Sequence, residues 1–446
     1  MKASSPASPV TVAAPTPVPT LLSTPSATPF DTPPLPQPLR VGVLGLGRAF
    51  TLMLPTFMRD RRVKLVAAAD PLAAARAQFA ADFNAPAFDS VQAVCTHPDV
   101  QVVYVATPHQ FHADHVCLAA AHGKHVLVEK PMALTLDECT RMIDACQRAG
   151  VHLLVGHSHS FNGPIRRTRE IIDSGIYGQV RMIHAMNYTD FLYRPRRPEE
   201  LDTAAGGGVI HSQAAHQIDI VRLMGGGNVA SVRAHTGNWD PSRNTEGAYS
   251  ALLAFEGGAF ASATYSGYGH FDSDRLLGDI GEMGQAKNPA DHGAARKRLL
   301  QAASVAQETA LKAARNYGGA LYSRAAALPA TGSPCPAHQH FGHLVVSCDG
   351  ADLRPGPLGI AIDTHDAQLF EALPAPQIPR MEVIDELYAA VVHNIPPVHS
   401  GPWARATTEV CLQILASARD NTECFMQHQV GYAPPIGARE KKAPRD

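Results

Sequence analysis

The sequence has no long hydrophobic run and no closely spaced pair of cysteines. Among its 446 residues, no apolar segment approaches the roughly 18 residues of a membrane-spanning helix, so we expect no membrane span. No Cys-x-x-Cys motif is present. The cysteines are scattered through apolar segments, as buried free thiols are in a reducing cytosol, which predicts a cytoplasmic protein. They are Cys95, Cys117, Cys139, Cys146, Cys335, Cys348, Cys411 and Cys424.

The sequence also lacks an excess of charge of either sign. It has 38 Lys and Arg against 40 Asp and Glu, a formal net charge of −2. This balance implies no polyanionic partner. There is no basic stripe with interleaved aromatic residues and no nucleic-acid motif, so we expect no nucleic-acid partner.

Both ends of the chain lack the pattern of a folded core. Residues 1–38 consist largely of Pro, Ser, Thr and Ala without a periodic apolar face, which predicts a disordered tail. A signal peptide is the alternative. It is disfavoured because prolines interrupt every candidate apolar core and only Lys2 supplies an early positive charge. Residues 435–446 are predicted to form a second tail.

Between the tails, two patterns follow each other. Over residues 39–158, short apolar strands alternate with helices, which predicts an α/β domain with a parallel, doubly wound Rossmann sheet. Over residues 159–434, longer alternating strands and several helices predict an α+β domain with a mostly antiparallel sheet. Residues 284–332 form a charged, alanine-rich insertion, predicted helical over 294–316, and residues 404–419 form the final helix.

A glycine-rich loop follows the first strand. It reads Gly45-Leu-Gly47-Arg48-Ala49-Phe50. Gly45 allows a tight turn and Gly47 lets a pyrophosphate approach the N-terminus of a helix, whereas Phe50 replaces the third glycine of the dinucleotide motif. Asp70, at the end of the next strand, is placed to bind a ribose 2′-hydroxyl and to repel a 2′-phosphate. The loop therefore predicts NAD rather than NADP, unless Asp70 only caps the following helix.

Lys130 directly follows an apolar strand, in the run His125-Val-Leu-Val-Glu129-Lys130-Pro131. An ammonium group is costly to desolvate, so a lysine held at a strand end can have a lowered pKa and move protons near neutral pH. Pro131 restricts the backbone of Lys130 and so aims its side chain. The alternative is an ordinary charge at a strand end.

A second candidate segment follows Gly206-Gly207-Gly208. Ser212, His216 and Asp219 lie at i, i+4 and i+7, so they share one face of a predicted helix. His216 can titrate near neutrality and accept a substrate proton, and Asp219 can orient it. A histidine satisfied within the core is the alternative.

Together these segments resemble the glucose–fructose oxidoreductase/inositol dehydrogenase family, Gfo/Idh/MocA. The resemblance implies a nicotinamide cofactor and a C-terminal open-faced sheet that builds homodimers or homotetramers. It also places Lys130 and His216 beside the hydride-transfer centre, with an often cis bond before Pro131. Besides the glycine loop and Asp70, the cofactor-binding residues that it implies are Thr107, Pro108, His112, Glu129 and Lys130.

The sequence departs from this family at several positions. Polyol and sugar members usually carry Asp where this chain has Ser212, which disfavours a sugar substrate. A polar run from Gly156 to Asn162, with His159, stands where relatives often carry arginine. Arg194, Arg196 and Arg197 lie among aromatic residues and could bind carboxylates bidentately, unless they belong to a solvated loop. The expected substrate-binding residues are Arg194, Arg196, Ser212, His216, Asp219 and His159.

The segment from Tyr188 to Asp202 is similar to the family branch that oxidises cis-dihydrodiols of aromatic acids, such as phthalate 4,5-cis-dihydrodiol dehydrogenases. The leading hypothesis is therefore NAD-dependent oxidation of a carboxylated cyclohexadiene diol. The alternatives are a sugar, inositol or polyol dehydrogenase and a non-catalytic NAD-binding regulator. Cys335, His338, His340 and His343 are residue types that bind zinc, but their spacing matches no closed site, so we predict no metal.

Overall fold

The computed structural model describes residues 37–156, 159–322 and 336–434. Both predicted tails lie outside these ranges except for residues 37 and 38, and Cys335 lies outside them as well. The seven described cysteines are all free, and four of them are buried. None of the helices in the described ranges has the length and hydropathy needed to cross a bilayer.

The first part of the described chain forms a six-stranded parallel sheet in the order β3-β2-β1-β4-β5-β6. Its strands are β1 (Leu39–Leu44), β2 (Val63–Ala69), β3 (Ala87–Phe88), β4 (Val102–Val105), β5 (His125–Glu129) and β6 (Leu153–Gly156). The intervening helices are α1 (Arg48–Arg59), α2 (Ala73–Phe83), α3 (Val91–Cys95), α4 (His112–Ala121) and α5 (Leu136–Ala149). Because helices cover both faces, the central strands are almost wholly apolar and buried.

The remaining described chain builds a nine-stranded mixed sheet with helices. Its strands are β7 (Val180–Tyr188), β8 (Val229–Gly237), β9 (Ala248–Phe255), β10 (Phe260–Ser266), β11 (His343–Cys348), β12 (Ala351–Gly356), β13 (Gly359–Thr364), β14 (Gln368–Ala372) and β15 (Cys424–Phe425). Its helices are α6 (Gly163–Ser174), α7 (Ala215–Gly225), α8 (Ala294–Leu299), α9 (Val305–Ala313), α10 (Met381–His393) and α11 (Gly401–Asp420).

The strand order of this second sheet is β14-β13-β12-β11-β7-β10-β9-β8-β15. Only β7 and β10 pair in parallel, and the other neighbours are antiparallel. Alternate residues of β9 are buried, so one face of the sheet packs on helices. The predicted fold class, a Rossmann domain followed by an α+β domain with a mostly antiparallel sheet, is confirmed.

Two helical predictions need correction. The insertion contains two short helices, α8 and α9, instead of one helix over 294–316. Ser304 starts the second helix because its hydroxyl accepts a hydrogen bond from the backbone N of Gln307 at 3.2 Å. The segment that was expected to begin an α-helix at Ser212 is a π-helical turn over Ile210–Ala214, and α7 follows it.

Candidate active site

The glycine loop connects β1 to α1 at the carboxyl edge of the parallel sheet. Gly45 has φ +90°, and a Cβ there would lie 2.8 Å from the carbonyl oxygen of Ala106. A larger residue therefore could not bring the loop this close to the end of β4. Gly47 precedes α1, and a Cβ on it would meet no atom within 4 Å. The described residues provide no side-chain cap for α1, so its N-terminus is free to bind an anion.

Asp70 lies at the expected position, at the end of β2, and it also has a structural role. Its carboxylate accepts hydrogen bonds from the backbone N atoms of Leu46 and Leu72, each at 2.8 Å. It therefore joins the glycine loop to the start of the α2 segment, as the capping alternative anticipated. A carboxylate accepts further hydrogen bonds at its other lone pairs, so these two contacts are compatible with ribose binding.

Phe50 is fully buried and contacts the insertion. Its ring packs edge-on against Tyr317 with 5.0 Å between centroids, and the Tyr317 hydroxyl donates to Asp82 of α2 at 2.6 Å. The replacement of the third motif glycine thus creates an aromatic contact for the end of the insertion. Arg48 and Ala49, the neighbouring predicted cofactor residues, begin α1 beside it.

His112, expected at the cofactor, is buried and connects two backbone segments. It is 1% exposed. Its Nδ1 lies 3.0 Å from the carbonyl oxygen of Pro131 and its Nε2 lies 2.9 Å from that of Thr107. Burial lowers the pKa of His112 to about 4, so the ring is neutral at pH 7. His112 therefore connects the Thr107-Pro108 turn to the segment that carries Lys130.

Lys130 lies at the end of β5, and its bond to Pro131 is cis. The Nζ atom donates to the backbone carbonyl of Ser212 at 2.7 Å. The π-helical turn moves this carbonyl out of the α-helical hydrogen-bonding pattern. Ser212, expected to contact substrate through its hydroxyl, thus also holds Lys130 through its backbone. Burial lowers the pKa of Lys130, and Glu129 and Glu282 partly oppose this effect.

His216 and His159 lie together beside an aromatic side chain. Their ring centroids are 4.7 Å apart with an interplanar angle of 80°. Phe341 lies 5.0 Å from the ring of His216 and 5.1 Å from that of His159. The structure therefore brings both histidines to one position, although His159 precedes α6 and His216 lies on α7. Burial lowers the pKa of His159.

Glu282 was not anticipated from the sequence. Its Oε1 lies 3.1 Å from Nε2 of His159. Burial raises the pKa of Glu282, but His159, Arg194 and His340 outweigh burial and bring it to about 2. The group is therefore an anion at neutral pH. Its sequence context, Gly-Glu-Met-Gly directly before the insertion, carries no motif that would have identified it.

Arg380 is a second unanticipated residue. It adopts φ +56° just before α10 and is buried, with its Nε donating to Oε1 of Gln339 at 3.1 Å. Burial lowers the pKa of Arg380, whereas the carboxylate of Glu129 raises it. Glu129 in turn accepts a hydrogen bond of 2.6 Å from the Tyr104 hydroxyl. Glu129, expected at the cofactor, thus belongs to a buried polar group beside Lys130.

The two predicted substrate arginines have different environments. The side chain of Arg194 is 42% exposed and donates to Asp190 at 2.9 Å. The side chain of Arg196 is 12% exposed, and its guanidinium lies 3.6 Å from the centre of the Phe191 ring. Burial lowers the pKa of Arg196 to about 10. Arg194 is therefore available to a ligand, while Arg196 supports the loop and adds positive charge.

The placement of Asp219 does not support the expected substrate contact. Its side chain is 0% exposed. One carboxylate oxygen accepts hydrogen bonds from Trp403 Nε1 and Thr407 Oγ1, both at 2.7 Å. This buried charge is committed to the packing of α7 against α11.

The residues at the carboxyl edge of the parallel sheet fit NAD. Gly45 permits close approach of the loop, the N-terminus of α1 can bind the pyrophosphate, and Asp70 can bind a ribose hydroxyl. A bound nicotinamide cofactor supplies the acceptor for a hydride.

The histidines that were considered as zinc ligands make other contacts. Nε2 of His338 lies 2.9 Å from the carbonyl oxygen of Pro374, and Nε2 of His340 lies 2.9 Å from that of Ile280. Within residues 37–156, 159–322 and 336–434, no group of three or more His, Cys, Asp or Glu residues has the arrangement of a metal site. Cys335 lies outside these ranges.

Comparisons with known proteins agree with this architecture. A family model described as Gfo/Idh/MocA oxidoreductase, NAD-binding Rossmann fold, matches residues 39–157, and a model of the C-terminal domain matches residues 165–284. The 1-carboxy-3-chloro-3,4-dihydroxycyclohexa-1,5-diene dehydrogenase of Comamonas testosteroni is 50% identical over 384 residues, covering 85% of this chain and 95% of that protein.

Solved structures show the same fold. A protein from Bordetella bronchiseptica RB50, assigned as a dehydrogenase, matches with a TM-score of 0.80 and 39% identity over 87% of this chain and 100% of that chain. The WlbA dehydrogenase of Bordetella pertussis, solved with NADH and UDP-GlcNAcA, matches with a TM-score of 0.60 and 20% identity over 88% and 99% of the two chains.

Proposed function

Because the chain belongs to the Gfo/Idh/MocA oxidoreductase family, we propose that it oxidises a carboxylated cyclohexadiene cis-diol to the dihydroxy-aromatic acid with NAD. The relative from Comamonas testosteroni supports this proposal, since its name describes a dihydroxycyclohexadiene with a carboxyl group. We favour phthalate 4,5-cis-dihydrodiol as the substrate, with a monocarboxylated chloro diol as the nearest alternative.

The observation that carries the proposal is a partly exposed arginine close to the two histidines. The side chain of Arg194 is 42% exposed, and its charge interacts with Glu282, whose carboxylate lies 3.1 Å from His159. A guanidinium can bind the carboxylate of a substrate bidentately, in addition to its pair with Asp190. A neutral sugar offers no carboxylate for this contact.

The residues of this chain suit both parts of the oxidation, which are the removal of the hydroxyl proton and the transfer of a hydride. Arg194 binds the carboxylate of the diol and so places one hydroxyl near Lys130 and His216. The amine of Lys130 or the ring of His216 accepts the proton of the O–H bond that breaks, and a bound nicotinamide would accept the hydride from the carbon that bears this hydroxyl. The ketone so formed moves a ring proton to its oxygen, which restores aromaticity and makes the reaction hard to reverse.

A substrate panel with NADH formation as the readout tests this function. We expect turnover of the phthalate, chlorobenzoate and benzoate diols and little turnover of inositol or glucose. Arg194→Ala should raise KM for a carboxylated diol about tenfold or more, because a hydrogen bond to a charged group contributes about 1.5–3 kcal/mol. The methyl ester of the same diol is the control, and its KM should change little.

Two results would contradict the proposal. Faster oxidation of inositol or glucose than of any diol would favour the polyol alternative. Binding of NAD without turnover of any diol would favour a non-catalytic regulator. A cytoplasmic location and a homodimer or homotetramer stay predictions. The prediction of an oligomer is consistent with three exposed apolar side chains on neighbouring strands of the second sheet, Met182, Leu252 and Phe260.

A further inference from the structure

We propose that Glu282 is a positioning residue for the proton-accepting groups, a role that rests on the proposed function. Its carboxylate holds His159, and the His159 ring in turn supports His216, one turn after Ser212, whose carbonyl holds Lys130. The contacts are the 3.1 Å approach of Glu282 to His159 and the 4.7 Å separation of the two histidine rings. Glu282 does not touch the substrate in this scheme, so it acts through the neighbouring side chains.

The backbone around Glu282 forms a tight turn. Ile280 pairs with Ala286, and the N–H of Gly281 donates to the carbonyl of Gln285 at 2.8 Å. The carbonyl of Glu282 accepts from the N–H of His340 at 3.1 Å. Gly284 closes the turn at φ +82°, where a Cβ would lie 2.3 Å from the carbonyl oxygen of Ala337. Backbone hydrogen bonds before and after Glu282 therefore fix this turn, and the turn sets the direction of the Glu282 side chain.

Hydrogen bonds also fix the tautomer of His159. Nδ2 of Asn162 donates to the carbonyl of Gln339 at 2.8 Å and approaches Nδ1 of His159 at 3.3 Å. An amide nitrogen can only donate, so Nδ1 of His159 accepts. The ring proton of neutral His159 is therefore on Nε2 and is donated to Glu282. A fixed tautomer and ring plane give His216 a rigid neighbour.

Glu282 also acts on Lys130 through its charge. The charged groups acting on Lys130 are Glu129, Glu282, Arg380 and Arg196. The titratable groups acting on Glu282 include His159, Arg194 and His340, and Glu282 also acts on Tyr265 and Arg380. In this surrounding, the negative charge of Glu282 favours the protonated amine of Lys130. It therefore stabilises the charge that Lys130 acquires when it accepts the substrate proton.

Glu282→Gln tests this role by its effect on the pH profile. We expect kcat to fall at least about tenfold, with little change in the Kd for NAD. The acid limb of kcat/KM should move to lower pH, because loss of the negative charge makes Lys130 easier to deprotonate. Glu386→Gln is the matched control, since Glu386 pairs with another buried histidine, His399. It should leave the acid limb in place.

A loss of activity with an unmoved acid limb would overturn the proposal while leaving the diol function intact. If Glu282→Gln does not fold, Glu282→Asp replaces it, and a profile identical to that of the wild type would overturn the proposal. A further arm uses the double variant Glu282→Gln/His159→Asn. The fall in kcat caused by Glu282→Gln should be smaller in the His159→Asn background than in the wild type, and an equal fall in the two backgrounds would contradict action through His159.

A measurement without substrate separates the two proposals. In ¹⁵N-histidine spectra of the NAD-bound wild type, one ring should show the Nε2–H tautomer, and its signals should shift in Glu282→Gln but not in Glu386→Gln. Unchanged signals of this ring in Glu282→Gln would overturn the role of Glu282. Failure of the wild type to oxidise any carboxylated diol, with this shift present, would instead overturn only the proposed function.

Discussion

Lys130 combines a lowered pKa with a fixed position. Its amine is held by the carbonyl of Ser212, while burial lowers its pKa toward the range where it can accept a proton. The cis bond to Pro131 and the contact of Pro131 with His112 define the local backbone. These contacts come from three separate segments, so the reactivity of the amine is a property of the assembled site.

We expect Lys130→Ala to lower kcat about 10²–10⁴-fold, because the variant lacks the amine that we propose as the proton acceptor in the transition state. The Kd for NAD should change much less. Steady-state NADH formation and a cofactor titration measure the two quantities. Lys124→Ala is the control, since Lys124 contacts the carbonyls of His97 and Val100 at the opposite end of β5. Near-wild-type turnover of Lys130→Ala would show that the assignment is wrong.

Single residues with a local signal could be predicted from the sequence. Gly45 stands at a strand-to-helix turn, and Lys130 follows an apolar strand, so neighbours in the chain define both positions. Glu282 and Arg380 have no such signal. They acquire their roles from contacts with His159 and Glu129, which lie more than a hundred residues away in each case. Patterns of nearby residues contain no information about contacts of this kind.

At the scale of elements, the insertion connects the two parts of the candidate site. Its helix α9 contacts the loop that carries Arg194 and Arg196. Oε1 of Glu308 accepts a hydrogen bond from the backbone N of Arg196 at 2.7 Å, and Lys312 forms an ion pair with Glu200. Its end packs on Phe50 through Tyr317. The insertion and the missing motif glycine are thus two departures from the family that contact each other.

We expect Tyr317→Ala to loosen the end of the insertion and raise the Kd for NAD several-fold. The variant removes a buried ring from Phe50, which lies in the first turn of α1, the helix whose N-terminus we propose binds the cofactor. Trypsin cleavage after Lys312 or Arg315 should become faster, and a cofactor titration measures the Kd. Tyr317→Phe keeps the ring and loses only the contact with Asp82, so both quantities should stay close to wild type. Unchanged cleavage and Kd in Tyr317→Ala would contradict this prediction.

Periodicity predicted most helices and the apolar strands, but it failed where polar contacts decide the local structure. The strand β12, with the sequence Ala-Asp-Leu-Arg-Pro-Gly, was missed because its outward residues are charged and it contains proline. The π-helical turn before α7 was also missed. Its sequence resembles that of an ordinary helix, and the widened turn accompanies the long-range contact between Lys130 and Ser212.

At the scale of the whole molecule, His399 joins the parallel sheet to two helices that follow it in the chain, α7 and α10. Its carbonyl accepts from the N–H of Val155 in β6 at 2.9 Å, and its ring stacks on Phe161 with 3.7 Å between centroids. Nδ1 of His399 lies 2.9 Å from Glu386 on α10, and Nε2 lies 3.7 Å from Asp219 on α7. The order of strands and this junction depend on pairings distant in sequence, which composition and periodicity do not predict.

This junction should make stability depend on pH. Burial lowers the pKa of His399, but the charges of Glu386 and Asp219 outweigh burial and the opposing charge of Arg166, so its folded pKa is raised. Its stabilising contribution is therefore fully present below the unfolded pKa of about 6.5 and is lost as the pH rises through the folded value. Urea midpoints of the wild type and His399→Gln, measured from pH 6 to pH 9, should converge at high pH. Glu386→Gln should reduce this convergence, since it removes the carboxylate that raises the pKa of His399 most. A difference between wild type and His399→Gln that stays constant across this range would mean that His399 contributes packing alone.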